Sequence, residues 1–105
     1  MDALLITFYA TDPIDRLEAL FGEYAHALRE MPGLLSKAWI RDGDNIGGFH
    51  LFADRASAEA YLASDLAAGL RATESFDDFE VRRFEVLDEL SALTGVTDLT
   101  PLSAR

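Results

Sequence analysis

Hydrophobic residues follow two patterns along the chain, short continuous runs and spacings of three and four. Together these patterns predict four strands and two helices. Short apolar runs rich in β-forming residues are typical of strands, which we expect at 3–10, 34–41, 47–53 and 79–87. In two other segments apolar residues recur at spacings of three and four, which predicts amphipathic helices over 13–30 and 55–70. The apolar stripe of the first includes Phe21 and Tyr24, and that of the second includes Tyr61. Residues 88–94 can add a short helix.

Residues with known preferences for helix ends stand at the borders of both predicted helices. Asp12 is placed to cap the first helix and Pro13 to take its first position, and Pro32-Gly33 ends it. Asp54 is placed in the same way before the second helix.

The order of elements is β-α-β-β-α-β, which predicts an α+β protein of the ferredoxin-like fold. In that fold a four-stranded antiparallel sheet carries two helices on one face and leaves the other face open. We expect one domain over 1–95 and a loosely held C-terminal tail over 96–105. Apolar side chains on an open sheet face usually mark an interaction surface, so we expect a homodimer formed through that face.

The hairpin within 32–52 contains the only tryptophan and one of the two histidines. Alternation along strands predicts that one sheet face carries Lys37, Trp39, His50 and Phe52. If Arg41 pairs with Gly48 across an Asp42–Gly47 turn, Trp39 lies opposite His50 and Lys37 lies opposite Phe52. The other face is small or apolar and suits packing under the helices; it collects Ala38, Ile40, Phe49, Leu51 and Ala53. We therefore expect the face with Trp39 and His50 to be the open one, where it lines a pocket, a subunit interface or both. Phe8 and Phe84 are expected on the same face, although the sequence leaves open which faces Phe8 and Arg83 take on the first and fourth strands.

Composition narrows the possible functions of these 105 residues. The chain has no cysteine, which excludes disulfides, thiolate metal sites and cysteine nucleophiles and is compatible with a reducing cytoplasm. The N-terminal apolar run of about eight residues is too short for a signal sequence or a membrane span, so we expect a soluble, cytoplasmic protein. A net charge of −10 repels nucleic acids and anionic membrane surfaces. The two histidines have no metal-ligand spacing, and there is no GxSxG nucleophile motif, so we expect neither a metal site nor a serine hydrolase.

Four segments of the chain are PGLLSKAW, GGFHLF, DRASAEAYL and FEVLDEL. Together they resemble the ydhR-like monooxygenase family of the dimeric α/β-barrel superfamily. The resemblance covers roughly residues 3 to 95. It implies a homodimer whose sheets close into a barrel, with a pocket between the sheet and helices of each subunit or along the barrel interior. It also implies oxygenation of a phenolic or polycyclic aromatic compound without metal, flavin or haem. One departure is that this chain has Ile6 and Phe8 where members of the family can place polar residues.

Three residues of the hairpin are candidates for the chemistry. His50 could take a proton from a phenol near neutral pH, although a core or interface histidine is the alternative. Lys37 could stabilise a phenolate or peroxide anion, or form an ion pair at the sheet edge. Trp39 could pack against an aromatic substrate and donate a hydrogen bond from its ring nitrogen, or fill a dimer core.

Four further residues are candidates for substrate binding. Phe8 and Phe52 would extend the aromatic platform around Trp39, and the hydroxyl of Tyr61 could reach a pocket from the second helix. Of two adjacent arginines on the fourth strand, we favour Arg83 over its neighbour as an anchor for a carboxylate or oxyanion. His26 falls off the apolar stripe of the first helix and is expected at the surface.

These expectations favour a monooxygenase that needs no cofactor and oxidises a small or polycyclic electron-rich aromatic with dioxygen. A dimeric protein that only binds a small aromatic ligand is the main alternative. A non-redox isomerase or cyclase on the same fold is a third.

Overall fold

The computed structural model describes all 105 residues and confirms the ferredoxin-like order of elements. Its elements are β1 (Asp2–Tyr9), α1 (Ile14–Leu28), β2 (Leu34–Asp42), β3 (Asn45–Phe52), α2 (Arg55–Leu62), α3 (Asp65–Arg71), β4 (Asp77–Glu85), α4 (Asp88–Leu93) and a 3-10 turn (Leu102–Ala104). The four strands form one antiparallel sheet in the order β2-β3-β1-β4. No helix has the length and apolar character that a membrane span needs.

The helices cover one face of the sheet, as predicted. From the central strand β1, Leu4, Ile6 and Phe8 point into the core on this face and are at most 6% exposed. They pack against the apolar stripes of the helices, which include Leu17 of α1 and Tyr61 of α2. β1 lies between β3 and β4 and beneath the helices, so it is a central strand of the sheet and contributes to the core along its length.

A serine divides the predicted second helix into α2 and α3. The Ser64 hydroxyl donates to the Tyr61 carbonyl (2.6 Å), and its oxygen accepts from the Ala67 amide (3.2 Å). A short side chain that bonds to the backbone in this way favours a helix start over a helix interior. The helical pattern over 55–70 therefore corresponds to two short helices.

The helix caps were predicted correctly for α2 and wrongly for α1. Asp54 accepts a hydrogen bond from the Ser57 amide (2.7 Å), as expected of a cap. Asp12 makes no cap, because Pro13 is the capping residue and the Asp12 carboxylate instead accepts from the Ser75 hydroxyl (3.2 Å).

The hairpin register differs from the predicted one by two residues. Asp42 pairs with Asn45, so the turn contains only two residues, the first of which is Gly43 with a φ of +60°. Consequently Trp39 pairs with Gly48, and Lys37 pairs with His50. A shift of two preserves the alternation of faces, so the prediction that Lys37, Trp39, His50 and Phe52 share a face survives.

The expected position of that face is wrong, because it lies under the helices and not on the open side. Phe52 and His50 are 0% and 1% exposed, and the Trp39 ring packs 5.0 Å from that of Phe21 on α1. Phe8 is buried on the same side. Both hairpin faces carry apolar residues, so alternation alone could not orient the hairpin. The apolar residues of β1 beside His50 and the helix stripes decide which face is covered.

The open face carries Ala38, Ile40, Phe49 and Leu51, which were expected under the helices, and Phe84, which was expected here. Ile40, Phe49 and Phe84 are each about 40% exposed. Next to this face, α4 and its N-cap residue expose three leucines, which are Leu87, Leu90 and Leu93.

The C-terminal segment lies against the outer edge of β2. Its 3-10 turn contacts that strand, and Leu102 packs against the main core. Asp98 forms an ion pair with Arg105 (3.2 Å). The loosely held character of this tail stays a prediction.

Candidate active site

A small cavity lies between the sheet and the helices, and we call it the helix-side cavity. It brings together five of the seven predicted site residues, which are Phe8, Lys37, Trp39, His50 and Tyr61. Phe21 of α1 and the backbone of Gly47 and Gly48 complete much of its wall. Its volume of about 10 Å³ is enough for roughly one water molecule. The residues are thus close together in a site that is closed in this conformation.

His50 presents a free basic nitrogen inside the protein. Its Nδ1 lies 3.2 Å from the carbonyl oxygen of Leu4, and because that oxygen only accepts, Nδ1 carries the proton and donates. Nε2 is therefore a lone-pair acceptor, and it is buried with no hydrogen-bond partner. Burial, helped by the nearby Lys37 charge, lowers the pKa of His50 from 6.5 to about 4. At neutral pH the imidazole is neutral and can accept a proton from a bound group.

Lys37, the only lysine of the chain, is held over aromatic rings. Its stem crosses directly above Gly48, where a Cβ atom would collide with Lys37 Cε. Nζ lies 3.5 Å from the centroid of the Trp39 ring and 5.2 Å from that of Tyr24, which are cation–π contacts. Nζ forms no ion pair. Burial without a carboxylate lowers the pKa of Lys37 from 10.5 to about 7.

Two aromatic rings separate the helix-side cavity from an outer groove. This groove, here the α1 groove, lies between α1 and the hairpin and has a volume of about 340 Å³. Phe21 and Trp39 line both spaces, so their rings form the wall between them. Trp39 is 39% exposed on the edge strand β2. A ligand in the groove would meet its outer face.

A pair of tyrosines lies on the helix side of the cavity. The hydroxyls of Tyr24 on α1 and Tyr61 on α2 are 2.5 Å apart and buried. Burial raises the pKa of both groups, so both stay protonated near neutral pH. The Tyr61 ring lies 5.5 Å from the His50 ring, which places this pair beside the basic nitrogen.

Sequence reasoning missed Tyr24, Phe21 and Gly48 as site residues. Tyr24 and Phe21 were recognised only as members of the apolar stripe of α1. A polar hydroxyl on each of two predicted helix stripes was a usable signal, since buried hydroxyls need partners. The role of Gly48 depends on the hairpin register and could not be read without it.

Two predicted substrate-binding residues lie outside the cavity. Phe52 is fully buried core, with its ring 5.8 Å from that of Tyr61, and does not line the cavity. Arg83 points to the helix side but forms an ion pair with Glu59 of α2 (2.6 Å). It lies on β4, and the sheet order puts β4 and β2 at opposite edges. Arg83 is therefore separated from Lys37 by the width of the sheet.

The acidic and histidine side chains do not converge anywhere in the chain. No group of three or more His, Cys, Asp or Glu residues could hold a metal ion.

Several solved structures share this fold at low sequence identity. SnoaB, described as a cofactor-independent oxygenase from Streptomyces nogalater, aligns with a TM-score of 0.65 and 17% identity over 81% of this chain and 91% of its own. Rv0793 from Mycobacterium tuberculosis aligns with a TM-score of 0.65 and 19% identity over 84% and 97%. A protein of unknown function from Nitrosomonas europaea, NE2512, aligns with a TM-score of 0.62 and 23% identity over 82% and 88%.

No curated protein matches the chain. A family model does, and it spans nearly the whole domain. The family described as "Putative mono-oxygenase ydhR" matches residues 3–97. With the ferredoxin-like fold and its oxygenase neighbours, this match points to a monooxygenase, and the chain belongs to the ydhR mono-oxygenase family.

Proposed function

We propose that this protein is a monooxygenase that needs no cofactor and oxidises a small electron-rich aromatic, such as a phenol, with dioxygen. The observation that carries the proposal is the unpartnered Nε2 of His50, buried beside an aromatic wall and an ammonium group. The family match supports oxygenation, and the description of SnoaB supports chemistry without a cofactor.

The chemistry begins with a proton transfer to His50. A phenol hydroxyl in the cavity donates to Nε2. Because its lowered pKa makes His50 a weak base, proton transfer depends on the Lys37 ammonium stabilising the phenolate that forms. The phenolate is rich enough in electrons to reduce dioxygen. Dioxygen adds to a ring carbon of the phenolate that carries hydrogen, and this addition takes two electrons from the ring and forms a hydroperoxide. Loss of the C–H proton with cleavage of the O–O bond then gives a quinone and one water, so that the substrate supplies four electrons and dioxygen is fully consumed. The Lys37 ammonium stabilises the phenolate and the peroxide anion, because in a cavity shielded from water its charge is weakly screened.

Binding requires the aromatic wall to move. A cavity of about 10 Å³ holds no aromatic ring, whereas the α1 groove of about 340 Å³ does. Rotation of the Trp39 and Phe21 side chains would join the two spaces, with the reacting ring near His50. A polycyclic substrate would extend into the groove and stack on the indole.

Oxygen consumption tests the proposal. Purified protein is incubated with anthrone-type and hydroxynaphthacene-type phenols, and uptake is followed with an oxygen electrode. We expect uptake above the uncatalysed rate, and His50→Phe should lower turnover by about 10²- to 10⁴-fold if His50 is a general base. The control is His26→Gln, because His26 is the other histidine and lies exposed on α1. If no phenol is consumed faster than in buffer, the enzyme proposal fails.

A protein that only binds an aromatic ligand is the second candidate, and the α1 groove of about 340 Å³, which can take an aromatic ring without any movement of the wall, supports it. Because Trp39 is the only tryptophan and part of the wall, its fluorescence reports any ligand in the groove. Saturable quenching without oxygen uptake would favour the binding protein.

We further propose a homodimer formed through the open sheet face. A groove of about 500 Å³ runs between that face and α4, lined by Phe49, Phe84, Leu87, Leu90 and Leu93 among others. A second copy would remove these side chains from water. A cytoplasmic location stays a prediction.

A further inference from the structure

Lys37 is unusual in two respects, because the chain of 105 residues has no other lysine and its ammonium group has no carboxylate partner. The only other amine of the chain, the N-terminus of Met1, is held by the Asp88 carboxylate at 3.2 Å. The chain therefore contains one amine that no acidic group keeps protonated.

The side chain of Lys37 lies between two spaces. On one side it lines the helix-side cavity with His50. On the other it lines a groove of about 410 Å³ between β2 and the C-terminal segment, whose wall includes Leu51 and Leu102. We call this space the tail groove. A small molecule in the tail groove can meet Lys37 without displacing Trp39.

The groups that face Lys37 leave the amine without a counter-ion. They are neutral His50 on β3, the protonated hydroxyls of Tyr24 and Tyr61, and the Asp98–Arg105 ion pair in the tail groove. Burial brings the pKa of Lys37 to about 7, so near neutral pH roughly half of the molecules carry a free amine. Desolvated lysines of this kind act as nucleophiles in proteins.

We propose that Lys37 is a nucleophilic amine that condenses with the aldehyde group of a small aromatic molecule to form an imine. The Nζ lone pair attacks the carbonyl carbon, so that a C–N bond forms and the C=O π bond breaks. The two N–H protons of the amine pass in turn to the carbonyl oxygen, with His50 Nε2 as the intermediate acceptor. Loss of that oxygen as water leaves the imine, and nothing is oxidised or reduced.

His50 is placed to serve in this transfer. The position that a Cβ atom would occupy on Gly48 lies against Lys37 Cε and 3.1 Å from His50 Cε1, the ring carbon bonded to Nε2. The two side chains therefore approach the same point above the strand. Trp39, whose ring already lies under Nζ, can stack on the aromatic ring of the aldehyde. This reaction goes beyond the oxygenation proposed above and does not depend on it.

Reductive trapping tests the proposal. The full chain is treated at pH 7 with benzaldehyde and sodium cyanoborohydride, which reduces an imine to a stable benzylamine, and the adduct is located by peptide mass spectrometry. We expect one benzyl group on Lys37, formed at least ~10-fold faster than on N-acetyl-lysine amide, since a pKa near 7 gives about 10³-fold more free amine.

Two controls make the result decisive. Lys37→Arg keeps a cation over Trp39 but offers no amine, so it should lose the adduct at position 37. Wild-type protein unfolded in urea should label Lys37 no faster than N-acetyl-lysine amide, because the enhanced reactivity requires burial. The proposal is overturned if folded protein labels Lys37 no faster than unfolded protein, or if only the Met1 amine reacts.

Discussion

At the scale of single residues, two buried basic groups of this site have unusual protonation. Lys37 and His50 pair across β2 and β3, and both have a lowered pKa because burial disfavours their charged forms. The Lys37 charge lowers the pKa of His50 further. Burial of these two groups therefore lowers the free energy of unfolding, and packing elsewhere in the fold must compensate for that cost.

Removal of the Lys37 charge should stabilise the protein at neutral and lower pH. Between pH 7 and 10.5 the unfolded chain binds the Lys37 proton and the folded chain does not, so this group makes stability rise as pH increases. Lys37→Met should abolish that rise and add about 2 to 4 kcal/mol below pH 7. Urea unfolding at pH 6, 8 and 10 measures the free energy of unfolding of both proteins. Parallel curves for variant and wild type would contradict the burial of the charge.

His50 should contribute to destabilisation in acid. Its pKa is about 4 in the folded state and 6.5 otherwise, so the unfolded chain gains a proton first as pH falls through this range. Stability should therefore drop by about 3 kcal/mol from this group between pH 6.5 and 4. His50→Phe should flatten that part of the profile, and the matched control is His26→Gln, at the exposed histidine of α1. Equal acid profiles for all three proteins would contradict the assignment of His50.

At the scale of elements, the hairpin combines two adjacent glycines with different neighbours. A Cβ on Gly48 would meet the flexible end of the Lys37 side chain and lie 3.1 Å from His50 Cε1, whereas a Cβ on Gly47 would meet the backbone carbonyl of Ile6 on β1. The Lys37 side chain can move away and the His50 ring must shift only by a few tenths of an ångström, but the Ile6 backbone cannot move without the strand. A substitution at Gly48 should therefore change mainly the site, and one at Gly47 should change mainly the sheet.

Gly48→Ala should displace Lys37 from Trp39 at a cost of about 1 kcal/mol, the low end for overpacking, and move the pKa of Lys37 back toward 10.5 because it relieves burial. Gly47→Ala should cost more than about 2 kcal/mol, because β1 and β3 must separate. Urea unfolding compares the costs, and the pH dependence of Trp39 fluorescence reports the Lys37 titration. Equal losses of unfolding free energy in the two variants, or a Lys37 titration in Gly48→Ala at the same pH as in the wild type, would contradict this geometry.

The sequence predicted the strands and the sharing of a face but not the orientation of the hairpin. Trp39 and His50 were assigned to one side correctly, since alternation survives a register shift of two residues. That side was assigned to the open face because the other side, with Phe49 and Leu51, was equally apolar. Only contacts with α1 and α2 distinguish two faces of similar hydrophobicity.

At the scale of the whole molecule, the open face and α4 form one exposed apolar surface. Phe49 and Phe84 are 38% exposed, and Leu93 is 83% exposed. A surface of this kind on a chain with a net charge of −10 is more consistent with an apolar partner than with an anionic one.

Phe84→Asp should convert the proposed dimer to a monomer, because it would bury an unpaired carboxylate at the interface. The matched control is Leu20→Asp, since Leu20 is similarly exposed, at 40%, but lies on α1 on the opposite side of the sheet. Light scattering coupled to size-exclusion chromatography gives the mass. Wild-type protein that remains monomeric at micromolar concentration would contradict the dimer.

The sequence alone determined the order of elements, the ferredoxin-like fold, the family resemblance and the set of residues that share the Trp39 face. These follow from periodicity, turn chemistry and alternation, which are local properties of a chain. The tertiary structure alone decided that this face lies beneath the helices, that Tyr24 meets Tyr61, and that Arg83 pairs with Glu59 far from Lys37. Those facts depend on packing between segments distant in sequence, and the lowered pKa values of Lys37 and His50 depend on it too, since they arise from burial.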